Sequence, residues 1–453
     1  MKTGNLFLVF CVVFFAGRPG PAAGSAVSVT VYNNDLALVR ETRSVSLEKG
    51  IQTYRFRDVA AKIDPASVLF RPLSTNAKIT LLEQNFEYDL VETGRLLEKY
   101  RDEPILVSTR DGAVFSGTLL NACGGDVIVR TQEGPVRAVK ARAVDSVEFP
   151  YLPGGLVTRP TLVWLLRSEQ AGNYASEISY LTGGIQWQAE YVAAVNAENT
   201  WIDLGGWVSI DNRSGASYAS AKLTLVAGDV HMAGPVPFPQ PALSARQDRG
   251  TTAAPRFREK AFFEYHLYTL QRQATLKDRQ IKQISFFSPV RTAVKKVYLF
   301  DGRNDNRKVN TLLTFKNEKS SGLGMPLPKG KVRLYQQDDD GGQVFIGEDR
   351  IDHTPENGTV RIFTGNAFDV TGKRTVRSLQ KVGKHGRKET IEILVENAKD
   401  QNISVTVREH FRGDWEFMGT IPKILKKDAF GAEFEILVAK KSEKSFRYTV
   451  LYR

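Results

Sequence analysis

Apolar and polar residues alternate in short runs along almost the whole chain, and a period of two is the mark of a strand with one buried face. Val27, Val29 and Val31 fall on one side, with Ser28 and Thr30 on the other. Asn33-Asn34-Asp35 makes a turn, residues 36–40 resume the pattern, and Glu48-Lys49-Gly50 turns again before 53–56. Short strands with turn signals roughly every 8–12 positions are the rhythm of an antiparallel β-sandwich.

The rhythm changes at Asp89. Asp89 with Glu92 three places on has the form of a capping box, which predicts a helix ending near Arg101 with Leu90, Leu97 and Tyr100 on one face. Strand candidates follow at 105–109, 114–121, 127–131, 136–139 and 144–149, separated by Gly-containing turns. A helix and five short strands are too few for a sandwich and suit a small closed barrel, because closure removes exposed edges. The -DG-x-x-x-x-G-x-L- spacing from Asp111 resembles the first motif of Sm-like barrels, which implies a shape and not RNA binding.

Strands resume at 161–166, 175–181, 187–195, 201–210 and 221–226. The expected organisation is therefore a discontinuous N-terminal sandwich, 27–88 with 151–230, carrying an inserted barrel at 89–150 of Sm or SH3 type. Residues 233–256 hold five prolines and no apolar period, so 231–258 is expected to be a linker. Alternation returns through a central β domain, 259–388, and again in 391–393, 403–407, 434–438 and 446–452. That last group predicts an immunoglobulin-like sandwich over 389–453. The predicted class is all-β, multi-domain and antiparallel.

Met1-Lys2, the apolar run Leu6 to Ala16 and the small residues up to Ala26 have the order of a secretory signal peptide, 1–26. The run is about half of the ~20 apolar residues a membrane-spanning helix needs, and no later window approaches one. The expectation is export to a bacterial periplasm or beyond. Cys11 would leave with the leader, so Cys123 would remain alone and no internal disulfide could form. The net charge is +12. Its basic residues are dispersed, and the dense run 381–388 contains glycines and no aromatic, which does not describe a nucleic-acid platform.

A resemblance emerges from residues 181–230, which contain Gly184, Trp187, Ala189 and Tyr191, then Asn212 and Gly215 before a Leu223-Thr224-Leu225 strand. Tyr265 to Tyr268, Lys295 to Tyr298, Gly322 to Gly330, Gly347-Glu348-Asp349, Asn397 and Trp415 continue the same pattern. Together these residues are similar to the bacterial domain-of-unknown-function family numbered 4139. That family is distantly related to mucoidy-inhibitor-like proteins, whose coiled-coil middle this chain lacks. The resemblance implies a fold and no activity. Physically the motif reads as architecture: Trp187 and Tyr191 share a strand face and would fill the gap between two sheets, and Asn212 with Gly215 suits a turn.

Five histidines, His231, His266, His353, His385 and His410, include no two at metal-pair spacing. No nucleophile elbow, phosphate loop or dinucleotide fingerprint occurs. Asp338-Asp339-Asp340 lacks calcium-loop spacing and reads as a hairpin turn, as does Arg412-Gly413-Asp414. Glu348 and Asp349 are the single candidate for an acid pair. No catalytic, cofactor or metal residues are expected. The leading expectation is a non-enzymatic scaffold of the cell envelope that binds a protein or an envelope polymer. The alternatives are a carbohydrate-active hydrolase with a spatial carboxylate pair and a binder of polyanions or lipid surfaces.

Overall fold

The computed structural model describes residues 26–123, 126–228, 230, 257–262, 264–304, 307–338, 340–383 and 386–453. The signal segment, most of the expected linker, His231, His385 and Asp339 lie outside the described residues. Thirty strands and one α-helix are found among those described, so the all-β expectation holds. Two compact units emerge, one from residues 26–29 and 38–182, the other from 30–37 and 183–453.

The first unit contains a three-stranded sheet, strands of a larger sheet, and the inserted module. In one sheet Thr161–Ser168 lies between Gly50–Arg57 and Ile79–Glu87. In the other, Gly172–Thr182 lies between Ala37–Leu47 and Leu69–Pro72. Trp164 explains how they stay together. It is fully buried, its ring lies 5.4 Å from Phe56 and 5.2 Å from Phe70, and its Nε1 donates to Gln84. A buried indole satisfies its one polar atom in this way and contributes its apolar area to the core.

The inserted module forms one five-stranded sheet in the order Val144–Glu148, Pro104–Thr109, Val114–Cys123, Asp126–Thr131, Val136–Val139. Ile105, Val107, Leu119, Val127 and Val129 pack against Tyr100. The hydrogen-bonded path is open rather than closed. Among the described residues no ladder joins Val136–Val139 to Val144–Glu148, which are linked by the single turn Ala141–Ala143. The helix is shorter than the capping-box reading. It spans Thr93–Lys99, and Glu92 is its N-cap without a side-chain cap bond. Asp89 cannot cap it because its backbone is committed elsewhere: its carbonyl accepts from Val157 while Val91 donates back to Val157. Its carboxylate instead meets Arg95 and Lys99. Leu90 is exposed, whereas Leu96, Leu97 and Tyr100 face the module's core.

The second unit holds three sheets. The five-stranded one runs Gln280–Ala293, Trp201–Asn212, Ile185–Val195, Gly330–Gln337, Gln343–Ile351. Its central pair, Ile185–Val195 with Gly330–Gln337, is parallel. The expectation of purely antiparallel sheets is corrected here and again where Tyr298–Asp301 pairs parallel with Val405–Arg408. The chain can close these pairs because more than a hundred residues separate the partners, ample for a crossover. A second sheet contains Phe257–Phe262, Tyr265–Leu270 and Tyr218–Ala227 in that order, with Ala274–Leu276 on the last of them. The third is nine-stranded and gathers strands from Lys295–Asp301 through Ser442–Tyr452.

Three expected boundaries move. The strands at 185–195 and 201–212 pair with later strands rather than forming a sheet with 38–88, because their ladders run to 280–293 and 330–337. The expected linker end at 258 falls inside Phe257–Phe262. The expected division at 388/389 falls inside Gly386–Asn397, which pairs with Thr359–Val382 along its whole length.

Trp187, Tyr191, Asn212 and Gly215 lie in this second unit. Trp187 and Tyr191 are both buried on one face of Ile185–Val195. Trp187 Nε1 donates to the Val226 carbonyl and Tyr191 to that of Pro328. Asn212 Oδ1 accepts from Ser214, and Gly215 takes φ +84°, so this turn forms. Gly330 has to be glycine for a different reason. A Cβ there would lie 2.3 Å from the Ala189 carbonyl oxygen, across the parallel ladder.

Candidate functional site

The inner face of the five-stranded sheet is apolar because Ile185, Trp187, Ala189, Tyr191, Ala193 and Val195 point inward. The outer face follows from the same period: Gln186, Gln188, Glu190 and Val192 must point away. Register then fixes which residues meet on that face. Ser285 pairs with Trp207, Trp207 with Glu190, Glu190 with Lys331, and Lys331 with Arg350. These five residues make one row across all five strands. The adjoining row is Gln283, Ser209 and Gln188.

Trp207 stands near the middle of this face and is 38% exposed. An indole usually belongs in a core, and a large apolar ring left open among polar neighbours marks a contact surface. The polar neighbours are held in place by one carboxylate. Glu190 accepts from Gln283 Nε2 at 3.1 Å and from Gln188 Nε2 at 3.3 Å, and Arg333 approaches it at 3.8 Å. Lys331 pairs with Glu348 at 3.2 Å. A concavity of about 520 Å³ opens at one end, lined by Asn33, Gln186, Gln188, Asp211, Lys331 and Arg350 among others. Asn33 donates to the Trp187 carbonyl, while its Oδ1 is buried without a partner. This face offers amide groups that both donate and accept, cations, and one open aromatic ring. That set suits a polar, hydroxyl-rich ligand with an apolar ring face.

The residues singled out in the sequence fall elsewhere. Glu348 and Asp349 are adjacent on Gln343–Ile351 and so face opposite sides of the sheet. Glu348 meets Lys331 and Arg333, while Asp349 accepts from the backbone of Arg350 and Phe363. They do not form an acid pair across a substrate. Asp338 and Asp340 sit in the expected hairpin, where the Asp338 amide donates to Gly342 and Gly341 takes φ +84°. Arg412-Gly413-Asp414 is not a hairpin turn. It connects Ile403–His410 and Trp415–Met418, which pair with different strands.

Each described histidine has its own setting. His266 meets Glu259, His353 Nδ1 accepts from Lys329, and His410 meets Asp301 at 2.6 Å. Among the described residues no group of three or more His, Cys, Asp or Glu side chains could hold a metal ion. No helix of the described residues is long and apolar enough to cross a membrane.

Sequence reasoning did not find Trp207. The available signal was that Trp207 is out of phase with its apolar neighbours Val208 and Ile210, and that Gln186 and Gln188 flank Trp187 in alternation. No family model matches this chain, and no curated protein matches it.

Proposed function

We propose that this chain is an exported, non-enzymatic β scaffold of the bacterial envelope that binds a hydroxyl-rich envelope polymer on the outer face of its five-stranded sheet. The observation that carries this reading is Trp207, open on a polar face between Glu190 and Ser285. A pyranose ring stacks its C–H face on an indole, and its hydroxyls pair with amides and guanidinium groups at the rim. The concavity of about 520 Å³ beside Lys331 and Arg350 gives room for a neighbouring unit. The test is co-sedimentation of the purified mature protein with insoluble envelope glycans. Retention that falls about tenfold in Trp207→Ala and stays unchanged in Val344→Ala supports the reading. Equal retention of both variants, or release of soluble sugar on incubation, overturns it.

A second reading has its own observation. Lys222, Arg258, Lys260 and Arg272 line an open concavity of about 780 Å³ whose one acidic lining residue among the described residues, Glu259, is paired with His266. This favours polyanion binding. Retention on heparin that weakens steeply with salt supports it, and salt-insensitive retention dismisses it.

A further inference from the structure

Lys295–Asp301 brings Lys296 and Tyr298 to the same face of the nine-stranded sheet, two residues apart. Tyr298 pairs with Thr311, and Thr311 with Gly365. The ladder slips between Thr311 and Leu312, and Gly365 takes φ +127° at that bulge. Bulges open a sheet locally and re-aim its side chains. Here a cavity of about 220 Å³ lies over the bulge, lined by Lys296, Tyr298, Thr311, Asn366 and Lys399 among others. That is below the roughly 300 Å³ at which cavities begin to take drug-sized ligands, so it has room for a small group.

Two features of this cavity are unexplained by the fold. Tyr298 is a buried residue, 7% exposed, and its hydroxyl is buried with no hydrogen-bond partner. A buried hydroxyl without a partner costs stability, and such groups are rare unless something else satisfies them. Lys296 lies with its ammonium 5.7 Å from the Tyr298 ring, and no carboxylate is within ion-pair distance of it among the described residues. Partial burial and the neighbouring Lys399 hold its pKa below the usual lysine value. Lys399 meets Asp369 at 3.1 Å, so the cavity carries two cations against one anion.

We propose that this cavity is a binding site for a small oxyanion, a phosphate or carboxylate group, held by the ammonium groups of Lys296 and Lys399 and by a hydrogen bond donated from the Tyr298 hydroxyl. The bound anion would remove both anomalies at once. It neutralises the excess cation and accepts from the stranded hydroxyl. Asn366 adds a neutral amide at the rim. The site is separate from the Trp207 face and does not rest on the polymer reading.

The experiment is calorimetric titration of the full mature chain with inorganic phosphate and, in a second arm, with acetate, at low salt. Binding of phosphate alone identifies a phosphate site, binding of acetate alone a carboxylate site, and binding of both a general oxyanion site. In each case affinity is expected to fall about tenfold in Lys296→Met and several-fold in Tyr298→Phe, the loss expected for charge-assisted hydrogen bonds. Tyr298→Phe removes a single oxygen and decides the matter if Lys296→Met does not fold. Trp207→Ala should bind the anion like the unaltered chain, which separates this result from that of the polymer experiment. No binding of either anion at millimolar concentration overturns the proposal, as does binding that Tyr298→Phe leaves unchanged.

Discussion

The hydroxyl of Tyr191 donates a 2.8 Å hydrogen bond to the carbonyl of Pro328, across 137 residues of chain. Tyr268 does the same to Pro326 at 2.9 Å, so two tyrosines from different strands hold the turn-rich segment 322–330. Asn317 completes the clamp by donating to Met325 and accepting from Gly324. Proline lacks an N–H but keeps its carbonyl, and a buried carbonyl needs a donor. Tyr191→Phe strands the Pro328 oxygen in a dry site. The expected loss of stability is about 1–3 kcal/mol, read from the shift of the urea midpoint at unchanged slope. A shift below about 0.5 kcal/mol would show that water reaches that carbonyl.

Burial raises the hydroxyl pKa of Tyr191 well above the ordinary value, and it raises Tyr268 and Tyr448 as well, the last with help from Glu409. In the unfolded chain these groups ionise near pH 10. Above that pH the unfolded chain has lost protons that the folded one still holds. Stability is therefore fully present below about pH 10 and declines as pH rises toward the folded values, by up to about 1.4 kcal/mol per pH unit for each tyrosine. Urea midpoints measured from about pH 9 to pH 11.5 should fall steeply above pH 10. The double variant Tyr191→Phe, Tyr268→Phe should show a shallower fall. Equal slopes in the two proteins would contradict the assignment.

Arg374 donates from Nε to both oxygens of Glu409, at 3.1 and 3.0 Å. Glu409 is fully buried and the Arg374 side chain is only 12% exposed. Removing one partner leaves the other as a lone charge in a low-dielectric interior. Glu409→Gln and Arg374→Met are each expected to cost about 3–5 kcal/mol, and the double variant less than their sum. A double-mutant cycle by urea denaturation measures the difference. Strict additivity would mean that the two charges do not sense each other.

Strand content was legible because it depends on local alternation. All five strands of the inserted module were found, with edges within two residues, since Val107, Leu119 and Val129 alternate with polar neighbours. Leu69–Pro72 and Ile79–Glu87 were missed because neither contains a buried residue and their alternation is weak. Pairing was not legible. Nothing local to Tyr191 announces that Val332 lies beside it in a parallel ladder. The Trp207 face depends on that pairing, since Lys331 and Arg350 join the row only through register. Asp89 misled for a related reason: its spacing from Glu92 is that of a cap, but a bridge to Val157 already uses its backbone.

The same distinction governs the end of the chain, where local pattern suggested a free-standing module at 389–453. Gly386–Asn397 lies between Thr359–Val382 on one side and Ser442–Tyr452 on the other. Ile403–His410 takes its parallel partner from Tyr298–Asp301. Ile391, Ile393, Val395, Val405 and Val407 share one buried cluster with Phe300, Val309 and Val370, all from earlier strands. A fragment of 389–453 would lose those contacts and expose two strand edges at once, and open apolar edges recruit other chains. The expected result for the isolated fragment is an unfolded or aggregated species, with no cooperative melt and poorly dispersed amide resonances. A cooperative melt with dispersed resonances would show that the four alternating runs suffice on their own, and that the ladder to 359–382 adds to this core without being required for it.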